Sequence, residues 1–184
     1  MEIFYQHVGL RWQKDIDRTI SRNRSVTELL TGLPSNAPER PYFETDQALQ
    51  NAFPNGNFNC WGVPSGAKPS FDRTHIGDLV LFLPKGGPYG SPLEHIGIVK
   101  AICPVECWEA SKLLWHWPDP ISRFFPYLFF FDTESGYRSW DQFTSDLGMG
   151  PKWNPRGMYK RFLPSHFKNG AEGYLKLLRQ EGFH

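Results

Sequence analysis

Residues 124 to 133, FFPYLFFFDT, constrain this chain more than any other stretch. Successive side chains of a strand point to opposite faces, so a strand with one wet face alternates apolar and polar residues. Here both parities are apolar, which predicts a strand buried on both faces and therefore covered on each. Two further runs read as strands: GDLVLFLP (77 to 84) and EHIGIVKAI (94 to 102). They are joined by KGGPYGSP, a glycine and proline connector of hairpin type.

The remaining elements follow from local pattern. EIFYQHV, at the start, is β-branched and aromatic enough for a strand. In DIDRTISRNRSVTELLTGL the residues Ile16, Ile20, Leu29 and Leu30 are unevenly spaced; this gives two short helices, or one helix and a basic loop holding Arg18, Arg22 and Arg24. Phe43, Ala48, Leu49 and Ala52 lie close to a 3.6-residue period, which predicts a helix from about 45 to 53 with Thr45 or Asp46 as its cap. YRSWDQFTSDLG reads as a short helix closed by Gly148, MYKRFLP as a final strand, and GAEGYLKLLRQEGF as a terminal helix with Tyr174, Leu175 and Leu178 on one side.

No internal repeat or low-complexity tract interrupts the 184 residues, a length that suits one domain over 1–184. The segment 165–184 forms its C-terminal helix, an ending that would suit the N-terminal piece of a longer protein. The expected class is α+β: a small, mostly antiparallel β-barrel decorated with helices. Parallel βαβ repetition is not visible, so a doubly wound sheet is the weaker alternative.

Charge excludes a global electrostatic role. Twenty Lys and Arg against nineteen Asp and Glu leave a formal +1, so an anionic partner has to be met by a local patch. The N-terminus shows no signal peptide and no window reaches the apolar length of a membrane span. Three cysteines, Cys60, Cys103 and Cys107, cannot all pair within one chain, which points to a reducing compartment and a cytoplasmic location.

Familiar catalytic patterns are absent. Cys103 and Cys107 form a Cys-x3-Cys pair without a second pair to complete a metal tetrahedron. GVPSGA is out of register with a nucleophile elbow, and no phosphate-cradling G-x-x-x-x-G-K-[ST] occurs. Asp78, Asp119 and Asp132 are weak nuclease candidates, because Asp78 follows a glycine at a strand start, where turn and cap roles dominate. No metal or other cofactor is implied. What remains is recognition: 16% of the residues are aromatic, and a flat base stacked on such rings gains ~1–3 kcal/mol. One ring stands out. Trp61 lies in NFNCWGVPSGA (57 to 67), whose composition reads as a turn.

The succession EIFYQHVG, NCWGVPSGA, IGDLVLFLP, HIGIVKAI and LWHWPDPISRFFPYLFFFDT, over roughly residues 2 to 133, resembles the EVE/YTH branch of the PUA-like domains. Within that branch it is most similar to the N-terminal modified-DNA-binding domain of archaeal McrB-type restriction proteins. The resemblance implies a PUA-like barrel that binds double-stranded DNA and flips a methylated base, methyladenine foremost, into an aromatic cage. By the same resemblance Trp61 is the first cage tryptophan, with Asn59, Cys60 and Gly62 beside it in the base-binding segment. Gln6 and His7 stand where YTH domains read the base edge, but the chain continues VGLRWQ where those domains carry asparagines, so Trp12 is an alternative cage wall. The second wall of YTH domains follows the PYLFFFD strand; here Asp132 and Thr133 occupy that place, leaving Trp115, Trp117 or Trp140 to replace it.

The implied role is a non-catalytic reader that targets a modification-dependent restriction system, with a GTP-driven motor in a separate domain and a nuclease partner. Arg11, Lys14, Lys68, Arg73, Arg123, Lys152 and Arg156 are the candidate phosphate contacts. They belong to an N-terminal cluster that includes Arg18, Arg22 and Arg24, to a late cluster that includes Lys160, Arg161 and Lys168, and to the chain between. Each cluster is equally readable as an ordinary solvated face. Burying one methyl supplies ~0.8 kcal/mol, about fourfold. A reader of methyladenine therefore also needs the ~1–3 kcal/mol lost when an unmodified amine leaves its second N–H unpaired. Alternatives are an RNA-binding PUA-like module and a hydrolase of modified nucleosides, for which Glu94 and Lys100 are poor candidates.

Overall fold

The computed structural model describes residues 1–9, 13–83, 91–115 and 125–184. In chain order its elements are β1 (Ile3–His7), α1 (Gln13–Thr19), β2 (Arg24–Ser25), α2 (Val26–Gly32), α3 (Arg40–Thr45), α4 (Gln47–Ala52), β3 (Asn57–Val63), α5 (Lys68–Phe71), β4 (Leu79–Leu83), β5 (Leu93–Ile102), α6 (Trp108–Trp115), β6 (Tyr127–Arg138), α7 (Trp140–Asp146), β7 (Tyr159–Arg161) and α8 (Gly170–Gln180).

Local chemistry explains most boundaries. α4 lies inside the expected 45–53 helix and is capped by Asp46, whose Oδ1 accepts from the Leu49 N–H at 2.8 Å. α7 starts at a capping box in which the Ser139 hydroxyl and the Gln142 side chain each take the other's backbone N–H. It ends near Gly148, whose φ of +65° favours glycine. α8 buries Tyr174, Leu175 and Leu178, the stripe read from the sequence. Between β1 and α3 the chain makes two short helices, separated by the two-residue β2. α3 itself was not anticipated.

The expectation of a turn around Trp61 is overturned. Residues 57–63 form β3, paired antiparallel with β6 from Asn59↔Phe131 to Val63↔Tyr127. Asn and Gly have low strand preference, but a ladder buried on both sides outweighs it. Turn chemistry begins only at Pro64, which precedes a 3-10 turn at Ser65–Ala67.

The chain divides into two compact units. The first comprises Met1–Gln13, Gly77–Ile98 and Thr133–His184. In it β4 pairs antiparallel with β5 and parallel with β1, and β7 pairs antiparallel with β1. Its core gathers Leu79, Leu81, Leu83, Ile96, Phe143, Phe162 and Leu178. The second comprises Lys14–Ile76 and Val99–Asp132. There β2 and β6 flank β3, and the rings of Phe58 and Phe130 meet edge to face at 5.0 Å. Residues 128–131 of β6 are all fully buried, as apolar residues on both parities predict.

The architecture is thus mixed α+β and mostly antiparallel. The closed barrel is a correction: in neither unit do the described strands close on themselves. The first unit's order β5-β4-β1-β7 is open at β7, and the second's β2-β3-β6 is open at the short β2. The β1–β4 pair is parallel, which the long connection between its strands permits. Among the described residues no helix is long and apolar enough to cross a membrane.

Candidate nucleic-acid interface

In the second unit β3 carries Trp61 into the interior, where it is 1% exposed. Its indole lies 5.9 Å from Trp115 at 71° and 6.5 Å from Phe125 at 25°, both centroid to centroid. Trp115 is the last described residue before 116–124, and Phe125 the first after it. Gly62 permits this approach. A Cβ there would lie 2.5 Å from the Phe125 carbonyl oxygen and 2.6 Å from its Cβ. Asn59 is buried and donates from Nδ2 to the Ile20 carbonyl at 2.8 Å. Cys60 is fully buried, which pushes its thiol upward and keeps it protonated. The segment that the resemblance assigned to the base is therefore interior in this structure.

Trp115 is placed by α6, and α6 is held at both ends by charge. Glu39, 1% exposed, accepts through Oε1 from the Glu109 and Ala110 N–H groups at 2.7 and 3.0 Å. At the other end the Arg24 guanidinium donates to the Leu114 carbonyl at 3.2 Å, and Arg18 donates to the Trp115 carbonyl. A carboxylate at the amino end and guanidinium groups at the carboxyl end both oppose the helix dipole. Arg18 also donates to Asp15 at 3.1 Å, and burial holds the Asp15 carboxyl above its usual range. Two arginines of the N-terminal basic cluster thus serve the fold.

In the first unit Gln6 and His7 stand on β1. Gln6 is 1% exposed; its Nε2 donates to the His7 carbonyl at 3.1 Å, and its Oε1 has no partner among the described residues. His7 is half-buried, and desolvation pushes its imidazole below the usual value.

The other candidates are dispersed. Lys14 and Arg73 are exposed. Lys68 pairs with Asp72 at 2.7 Å and lies 5.5 Å over the Tyr127 ring. Asp132 is exposed and paired with Lys100, so its carboxylate is already engaged, and so is the Lys100 of the hydrolase reading. Trp140 is buried in the first unit, stacked on Trp153 at 5.8 Å and 13°. Arg11, Trp12, Trp117 and Arg123 lie outside the described residues.

Lys152 and Arg156 are brought together. With Tyr5, Trp153, Asn154 and Lys160 they line a recess of about 410 Å³ in the first unit. Sequence reasoning placed Lys160 in the same basic cluster but passed over Tyr5, Trp153 and Asn154. The signal available was KWNPRGMYK (152 to 160), in which cations and aromatic rings interleave. Among the described residues no group of three or more His, Cys, Asp or Glu could hold a metal ion. Cys103 and Cys107 are buried free thiols with Sγ atoms 2.7 Å apart.

No protein-family model matches this sequence, and no curated protein matches it. Among solved structures, the chain is similar to the N-terminal domain of Thermococcus gammatolerans McrB bound to m5C DNA. The identity is 18% and the TM-score 0.65, over 97% of this chain and 99% of that one. The likeness is one of fold, and it agrees with the resemblance to McrB-type domains read from the sequence.

Proposed function

We propose, from a fold shared with a McrB-type N-terminal domain, that this chain binds DNA and reads a modified base. The observation that carries the reading is the extent of the match: nearly all of each chain is superposed, so the likeness is to the whole DNA-bound domain and not to one common strand pair. Two local features bear on it. The second unit holds a packed group of three large rings, Trp61, Trp115 and Phe125. The first holds a buried amide acceptor, Gln6 Oε1 on β1, that has no partner among the described residues.

A base flipped from the duplex costs a few kcal/mol to unstack, and stacking returns ~1–3 kcal/mol. Trp61 is closed over by its neighbours, so a base reaches its face only after Trp115 or Phe125 gives way. A pocket shaped for the methylated base then discriminates twice, by the ~0.8 kcal/mol of methyl burial and by the void an unmethylated base leaves. The sequence resemblance put methyladenine first. The neighbour's ligand is m5C DNA, so 5-methylcytosine is the first mark to test here and methyladenine the second. In this reading the chain is the targeting part of a restriction system, and cleavage belongs to a nuclease partner.

The test is a fluorescence-anisotropy titration with one duplex sequence carrying 5-methylcytosine, N6-methyladenine or no modification, alongside the same sequence as RNA. A modified DNA duplex is expected to bind several-fold tighter than the plain one. Equal affinity for all of the DNA duplexes removes the reader assignment, and preference for RNA replaces it with an RNA-binding one.

A further inference from the structure

The recess around Lys152, Arg156 and Lys160 has no role in the reading above. It is built on hydrogen-bonded and stacked parts. The Tyr5 hydroxyl donates to the Arg156 carbonyl at 2.8 Å, the His7 N–H to the Met158 carbonyl at 2.8 Å, and the Trp140 indole N–H to the Pro151 carbonyl at 3.0 Å. Both ends of the 151–158 loop are therefore pinned to packed elements. Gly157 turns the chain with a φ of +85°, and a Cβ there would stand 2.7 Å from Lys160 Cε. Lys160 lies opposite Tyr5 in the β1–β7 register. Trp153 has one face stacked on Trp140 and meets Tyr5 edge on at 6.1 Å.

The electrostatics of the recess are one-sided. Lys152, Arg156 and Lys160 are all exposed, and none has an ion pair among the described residues. Elsewhere Arg40, Lys68, Lys112, Arg161 and Arg179 each have a carboxylate partner. Among the described residues no Asp or Glu lines the recess. Three like charges gathered without a counter-charge repel one another and raise the local potential, so an anion entering there is attracted by all three. The arginine fork matches phosphate oxygens, the two lysines act as point charges, and the Asn154 amide adds a neutral donor.

We propose that this recess is a phosphate clamp for a nucleic-acid backbone. Lys152, Arg156 and Lys160 grip phosphodiester oxygens, and Trp153 and Tyr5 supply the apolar floor for the sugar. The inference rests on the DNA-binding reading and supplies the sequence-independent part of that binding. It makes no use of the methylated base.

The experiment compares K152A/K160A with K176A/R179A, a control that removes two exposed cations lying outside the recess and outside the candidate phosphate clusters. Each variant is titrated with modified and plain duplexes between about 50 and 300 mM salt. Melting curves check that each variant is folded. Each lost phosphate contact lowers the slope of log K against log salt by about 0.9, so the recess variant is expected to lose about two units of slope, with affinity falling equally on both duplexes. The control is expected to keep the wild-type slope.

Equal slopes for the two double variants overturn the clamp. So does a wild type that binds no nucleic acid, or a recess filled by a free mononucleotide while the duplex slope is untouched. If the wild type shows no preference between duplexes yet the recess variant loses its slope, the clamp stands and the reader falls. If the preference is intact and the slope does not change, the reader stands and the clamp falls.

Discussion

At position 62 the absence of a side chain lets the segment re-entering at Phe125 lie against β3. The distances give Gly62 a packing role beside the base-binding one that the resemblance implies. G62A puts a methyl group inside the contact distance of a carbonyl oxygen, and backbone on both sides has to move. We expect a loss of about 1–3 kcal/mol in urea unfolding; an unchanged midpoint would mean that the close approach does not persist in solution. Trp61 makes the same point about legibility. Its identity and position were plain in the sequence, but its burial was not, because the residues that pack on it, Trp115 and Phe125, are more than fifty positions away. Asp46 shows the opposite case. Its capping bond spans three residues, and the sequence offered it as one of two candidate caps.

Among the elements, α6 depends most on distant groups. Its amino end is completed by Glu39 and its carboxyl end by Arg18 and Arg24, and no local pattern links these residues to the helix. E39A leaves two N–H groups without an acceptor in a buried place, and we expect it to cost about 1–3 kcal/mol. E39Q keeps an acceptor and loses the charge, so its loss should be smaller. Denaturant midpoints for the pair check this, and an equal loss for both would show that the dipole matters more than the hydrogen bonds. β6 and β3 illustrate the two outcomes of pattern reading. In β6 the apolar run over both parities announced double burial, whereas in β3 the Asn and Gly content announced a turn and pairing with β6 overruled it.

Over the whole molecule, acid groups buried in both units make one shared prediction. Burial pushes the thiols of Cys60 and Cys107 and the phenols of Tyr42 and Tyr174 upward, and at Cys107 the adjoining Cys103 thiol adds to the effect. The folded chain keeps these protons at pH values where the unfolded chain loses them. Stability from this source is complete below the ordinary thiol value of 9.0 and falls as pH rises past it and past the ordinary phenol value of 10.0. Each group contributes about 1.4 kcal/mol per pH unit once its unfolded form has ionised. Urea midpoints followed from pH 7 to about 11 should decline steeply above 9. C60A should lessen the decline in its first unit even if it lowers stability throughout. A flat profile in the wild type would mean that these groups are open to solvent.

Read alone, the chain settled what short-range physics governs: the core strands from their side-chain periodicity, a capped helix within about 45 to 53, the amphipathic terminal helix, and a resemblance to McrB-type domains. Packing decided the rest. It turned an apparent turn into β3, drew Trp61 inside, committed Arg18 and Arg24 to a helix end, left the strands of each unit open where a barrel was expected, and gathered Tyr5 with Lys152, Arg156 and Lys160. The reason is range. A period or a cap is complete within a few neighbouring residues, but the energy of a ladder, a buried ring or a cluster of like charges depends on partners that only the folded chain brings within reach.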